Sequence, residues 1–317
     1  MDRLQLAKNA KLTGRVYFKD EVMWLGLSGS GASFTFDGTK LVLKLKGDNI
    51  AVGDNPIDYA RIAVYVDGKR VVDEMINCAE KEVTVIDRTE NAQSVVEIIK
   101  LSESPMSAVS VEAFAEGSAE ALPEKPLKIE FIGDSITCGY GVDDEDENHQ
   151  FTTATEDVTK AYAYKTAKAL DAEYSMFSAS GYGIVSGYTE GDEPISEQTI
   201  PQFYCSYGFS RGNFAGTAPQ DIPWDFSKYI PQIIVINLGT NDDSYCRDHK
   251  DRQAVFSKLY ADFLAVVREK NPQAYILCTV GIMGERIFPA VEEGIKIYLK
   301  SLSLIHISEP TRLGMIS

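Results

Sequence analysis

Three short stretches carry residue types that acyl transfer uses. Ser135 ends an apolar run in FIGDSITCGYG (131–141), Gly181 lies in FSASGYG (177–183), and Asn241 lies in INLGTND (236–242). A serine at a strand-to-helix turn exposes its hydroxyl and places its own N–H near a helix N-terminus. A glycine lets its N–H approach a ligand with no side chain in the way. An asparagine NH₂ supplies a third donor. Together they would make an oxyanion site around a tetrahedral intermediate, where removing one donor costs about 10²–10³ in rate. Each residue also has a plainer reading. Ser135 suits a helix N-cap, Gly181 a turn (with Gly183 competing for its role), and Asn241 a cap ahead of Asp242-Asp243. Asp134 reads as a structural hydrogen-bonder rather than a catalytic group.

These residues need strand ends to hold them. Strand-like runs at 128–132, 174–179, 233–238 and 274–280 alternate with helical segments, as in a parallel α/β sheet. In such sheets active residues sit at the carboxyl ends of strands. The clearest helix spans about 250–270, with Val255, Leu259, Phe263 and Val266 at three- and four-residue steps. A further helix is expected over 289–300. The first 115 residues have another rhythm: short alternating runs at 33–36, 41–46, 61–66, 83–86, 95–101 and 109–114, with a strong hairpin signal at Asp67-Gly68. They predict a β-sandwich or jelly roll. The segment AEGSAEALPEKP (115–126) looks like a linker. The expected organisation is a sandwich over 1–118, a linker over 119–126, and an α/β domain over 127–301.

Composition narrows the function classes. A net charge of −16 argues against nucleic-acid and anionic-membrane partners. No stretch approaches the length of a transmembrane helix. The opening residues have no apolar core of a signal peptide, and five scattered cysteines show neither a disulfide framework nor a metal-site spacing. A reduced, cytoplasmic protein without metal or organic cofactor is the expectation, although a start at an artificial boundary would leave secretion open.

In this order, GDSITCGYG, SASGYG and LGTND resemble the first three blocks of the SGNH (GDSL-type) esterases. The leading half, with GSGASFTFDGT and YVDGKRV, resembles the N-terminal jelly roll of carbohydrate esterase family 2. The resemblance implies a three-layer α/β sandwich behind a jelly roll, with Ser135 as nucleophile and Gly181 and Asn241 completing the oxyanion hole. It also implies removal of acetyl groups from plant polysaccharides. Another acyl hydrolase, such as a lipase or thioesterase, and a non-catalytic glycan-binding protein are the alternatives.

The family takes its base from a late Asp-x-x-His block. His149 and His249 lie in charged loops around the third block, and His306 sits in SLSLIHISEPTRLGMIS (301–317), where position 303 is Ser rather than Asp. That tail reads as foreign to the domain, so 302–317 is set aside as non-native. The catalytic histidine is then not identifiable, and the domain is expected to be C-terminally truncated. Three other motifs are set aside. GFSRG (208–212) matches a nucleophile elbow but lacks the flanking strand and helix. Gly181-Tyr182-Gly183 opens like a dinucleotide fingerprint without the rest of it. DDEDENH (143–149) lacks the glycine of a calcium loop. Among the aromatics, Trp24, Trp224, Tyr182, Tyr188 and Tyr204 are candidates for sugar stacking, against the commoner core role.

Overall fold

In a computed structural model, residues 1–53, 55–146, 148–304 and 313–316 are described. The N-terminal half is a nine-stranded antiparallel sheet centred on three long strands, Gly31–Gly47, Glu80–Lys100 and Val109–Ala121. Leu41, Leu43 and Leu45 are fully buried while Lys44 and Lys46 point away, the two-residue period of a half-buried strand. They meet Phe34, Phe36, Val109 and Val111 in one sandwich core.

Asp67-Gly68 turns the hairpin between Ala60–Val66 and Lys69–Ile76, both residues in the left-handed region as such a turn requires. Asp37-Gly38 does not turn the chain. The runs at 33–36 and 41–46 are one strand, with a register shift between Gly38 and Lys40. Gly38 pairs with Gly117 there, and a Cβ on Gly38 would lie 2.3 Å from Glu116 O, so two glycines let the backbones cross closely. Likewise the runs at 83–86 and 95–101 belong to one strand. The last strand continues to Ala121, which pairs with Phe34. Residues 115–121 of the expected linker are therefore sheet, with Ala115 and Ala119 buried and Glu116 and Glu120 exposed.

The second half is a parallel sheet of β1 (Lys128–Gly133), β2 (Glu173–Ser178), β3 (Ile233–Asn237), β4 (Tyr275–Thr279) and β5 (Leu313–Ile316), in the order β2-β1-β3-β4-β5. Helix α1 (Ser135–Cys138) follows β1, α2 (Tyr162–Ala169) precedes β2, and α3 (Ile200–Phe203) lies in the long β2–β3 connection. Then come α4 (Thr240–Cys246), α5 (Lys250–Lys270) and α6 (Phe288–Leu304). Helix α5 has the expected span but a different face. Phe256, Tyr260, Phe263, Leu264 and Val267 are buried against the sheet, whereas Val255 and Leu259 are exposed. The bulkier stripe, one residue along, wins the core. Strand β5 pairs in parallel with β4 and so falls within the tail set aside above. GFSRG is loop.

Arg15 pins the two halves together. It is 1% exposed, donates from Nη1 to the backbone oxygens of Tyr204 (2.6 Å) and Ser206, and packs 4.2 Å over the Phe177 ring. Nη2 faces Glu130 Oε1 at 3.4 Å. A buried guanidinium is tolerated only with such partners.

Candidate active site

Strand register brings the three blocks side by side. Gly133 at the end of β1 pairs with Ser178 of β2 on one side and Asn237 of β3 on the other. The segments leaving those strands, Asp134-Ser135, Ala179–Gly181 and Leu238–Asn241, therefore start level with one another. Gly133 is required by sterics, since a Cβ there would lie 2.0 Å from Thr137 Oγ1.

The cap of α1 is Asp134, whose Oδ1 accepts from Ile136 N–H at 3.1 Å. Ser135 is the first helical residue and is half-buried. The plain role of helix cap thus belongs to its neighbour. Neither the Ser135 N–H nor its hydroxyl makes a hydrogen bond among the described residues. Gly239, not Asn241, holds the cap position of α4.

Gly181 adopts φ +79°, a conformation that favours glycine, and its N–H makes no hydrogen bond among the described residues. Around it a Cβ would meet only Gln198 Oε1, at 3.9 Å, so the position is open. Gly183 is the reverse. Its N–H donates to Gln198 O at 3.2 Å, and a Cβ would lie 2.2 Å from Ser186 O and 2.5 Å from Asp242 Oδ2. Gly183 serves packing, and Gly181 faces free space.

Asn241 ties the blocks together. Its buried Nδ2 donates to Tyr182 O at 2.8 Å and reaches Asp134 Oδ2 only at 3.5 Å. The first bond fixes the side chain; the second is at the weak limit, leaving one hydrogen nearly free for a ligand oxygen.

Four buried acidic groups stand behind these donors, and of them the sequence singled out only Asp134, as a structural hydrogen-bonder. Asp242, fully buried, accepts from the N–H groups of Ile184, Val185 and Ser186 at 2.6–3.1 Å and so clamps the loop after Gly181. Burial raises its pKa to about 6 against the opposing pull of those donors. Burial, with the charges of Asp242 and Glu103 behind it, raises Asp134 to about 7. Glu103 and Glu156 are also fully buried, and Glu103 Oε2 accepts from Ser180 N–H at 2.6 Å. Only the Asn-Asp pair in LGTND was a local hint, at Asp242; Glu103 comes from the other half of the chain and had none.

Residues 131–298 match the family model described as GDSL-like lipase/acylhydrolase. The chain belongs to that family. Ahead of this GDSL-like domain, residues 12–126 match the carbohydrate esterase 2 N-terminal model. A cellulase/esterase of Acetivibrio thermocellus is 32% identical over 259 residues, 81% of this chain; the chain spans only 29% of that protein's length. An acetylxylan esterase/glucomannan deacetylase of Cellvibrio japonicus is 28% identical over 86% of this chain and 71% of its own. Among solved structures, a family two carbohydrate esterase from Clostridium thermocellum, in complex with cellohexaose, superposes with a TM-score of 0.76 at 26% identity, covering 96% of this chain and 87% of that one. An acetyl xylan esterase from Butyrivibrio proteoclasticus shares the fold with a TM-score of 0.86 at 20% identity, over 100% and 90% of the two chains.

The histidines of this GDSL-like chain are distributed differently from its donors. His149 is exposed, its Nδ1 2.9 Å from Asp144 Oδ1, and exposed His249 precedes α5. Neither bonds to Ser135. His306 lies outside the described residues. Of the aromatics, Trp24, Trp224, Tyr182 and Tyr204 are buried core residues, while Tyr188, just beyond the Gly181 loop, is 54% exposed.

Proposed function

We propose that this GDSL-like chain is a serine esterase that removes O-acetyl groups from carbohydrates. The observation that carries the reading is the set of donors at three register-matched strand ends: the unengaged N–H groups of Ser135 and Gly181, and the half-engaged NH₂ of Asn241. In this mechanism Ser135 Oγ attacks the acetyl carbonyl and passes its proton to a general base. The carbonyl oxygen becomes an oxyanion received by the three donors. Collapse expels the sugar hydroxyl, which takes up the proton, and leaves acetyl-Ser135. Water then attacks that ester by the same path and releases acetate.

The carbohydrate side of the reading is supported by the residues matching the carbohydrate esterase 2 N-terminal model and by the relatives named as acetylxylan esterases. Acetate release from acetylated xylan and glucomannan, with 4-nitrophenyl acetate as a small control ester, tests it. In a protein that also supplies the general base, acetate release is expected, and Ser135→Ala should lose at least about 10³-fold in kcat. Hydrolysis that persists in Ser135→Ala would overturn the assignment. Preference for long-chain acyl esters over acetylated glycans would favour the lipase alternative.

A further inference from the structure

A buried acidic cluster joins the β-sandwich to the Gly181 loop. Glu103 belongs to the segment that leaves the sandwich strand Glu80–Lys100, and it is 0% exposed. It reaches across to the α/β domain, where Oε2 accepts from Ser180 N–H at 2.6 Å, one residue before Gly181. Behind it stands Glu156, also 0% exposed, whose Oε2 accepts from Glu103 N–H at 3.0 Å. Carboxyl oxygens of both residues and Cys138 Sγ lie within 4.8 Å of one another. One oxygen of each carboxyl, Oε1, is buried with no hydrogen-bond partner.

Two ionised carboxylates this close and this dry repel each other strongly, so the cluster needs either a cation or a proton. A positive charge is already there: buried Lys100 Nζ donates to Ser102 O (2.7 Å) and Glu103 O (3.0 Å). One ammonium balances one carboxylate and leaves a single proton to neutralise the other. Burial pushes both carboxyls up: Glu156 well up, with the charge of Glu103 adding to the effect, and Glu103 against the opposing pull of Ser180 and Lys100. Cys138, the last residue of α1, faces the same pocket with its thiol 3.8 Å from Glu103 Oε2 and 3.2 Å from Ser178 Oγ; burial keeps it protonated.

We propose that Glu103 is a positioning residue of the esterase: held from behind by Glu156, its carboxyl fixes the Ser180 peptide and thereby aims the Gly181 N–H at the developing oxyanion. The sandwich is then part of the active-site scaffold. This proposal rests on the hydrolase reading above for its catalytic consequence but not for its structural one. A charge-assisted bond to a backbone N–H is shorter and stronger than a neutral one, and misplacing a catalytic donor by about 1 Å costs up to about 10²-fold.

The test compares Glu103→Ala with Glu103→Gln. Removing the acceptor is expected to lower kcat on 4-nitrophenyl acetate by about 10–100-fold with KM changed less than about threefold. Glutamine keeps an oxygen for Ser180 N–H and offers its NH₂ to Glu156, so it should recover most of kcat. Alanine retaining kcat in a folded protein, or both variants losing it equally, would overturn the proposal. A second measurement needs neither turnover nor the alanine variant. By NMR, the Ser180 amide proton should lie far downfield and exchange slowly in the wild type, and move upfield in Glu103→Gln. Fast exchange in the wild type would equally overturn the proposal. If the wild-type chain releases no acetate for want of a general base, the Ser180 amide result still decides this proposal.

Discussion

Asp134 should make the protein less stable as pH rises through neutrality, and replacing it should remove that loss. The carboxyl is 0% exposed, and burial first, then the charges of Asp242 and Glu103, raise its pKa from 3.8 to about 7. Below pH 3.8 both folded and unfolded states hold the proton, and no penalty exists. Between pH 4 and 7 the folded state holds a proton that the unfolded state has released, so stability falls as pH increases. Each pKa unit is worth about 1.4 kcal/mol, which makes the full loss about 4 kcal/mol by pH 8. Asp134→Asn is neutral throughout, and its oxygen can still accept from Ile136 N–H as Asp134 Oδ1 does at 3.1 Å. Urea unfolding of both proteins at steps from pH 4.5 to 8 measures the difference between them. That difference should shift in favour of Asn by about 2–4 kcal/mol across the range. Glu103, Glu156 and Asp242 titrate in the same direction but are present in both proteins, so most of their contribution cancels. Asp73 and Asp143, held low by their arginine and lysine partners against the opposing effect of burial, lose their contribution at acid pH, below this window. A constant difference between the two proteins from pH 4.5 to 8 would refute the argument, because it would mean that Asp134 titrates alike in the folded and unfolded chain.

Three further substitutions probe the donors and the loop that carries them. Asn241→Ala should lower kcat by about 10²–10³ with little change in KM. It should also cost about 1–3 kcal/mol in stability, since Tyr182 O loses the donor it now has at 2.8 Å; steady-state kinetics and thermal unfolding separate the two effects. Gly183→Ala should destabilise by about 2 kcal/mol or more, because its Cβ would lie 2.2 Å from Ser186 O in a loop clamped by Asp242. Gly181→Ala, strained only by φ +79° in open space, should cost about 1–2 kcal/mol; equal losses by denaturant unfolding would refute this contrast.

What could be seen in the sequence followed from how local each cause is. Ser135, Gly181 and Asn241 were visible because each sits within a few residues of a strand end, and the strand and its exit are encoded together. The face of α5 was missed because Val255 and Leu259 keep a helical period as well as Phe256 and Tyr260 do; only the shape of the sheet beneath decides between the stripes. Asp37-Gly38 carried a turn signal, but its effect depends on Gly117, a strand away. The same limit applies to the site itself. The expected linker marks where the two halves are joined covalently, yet it does not mark where their roles divide. Glu103, upstream of that linker, bonds to Ser180, downstream of it, and Arg15 reaches equally far into the second half. A carboxylate that acts across 77 residues of chain leaves no spacing for a motif to record. The donors of this GDSL-like chain are thus written locally, whereas the parts that aim them are written in the packing of one half against the other.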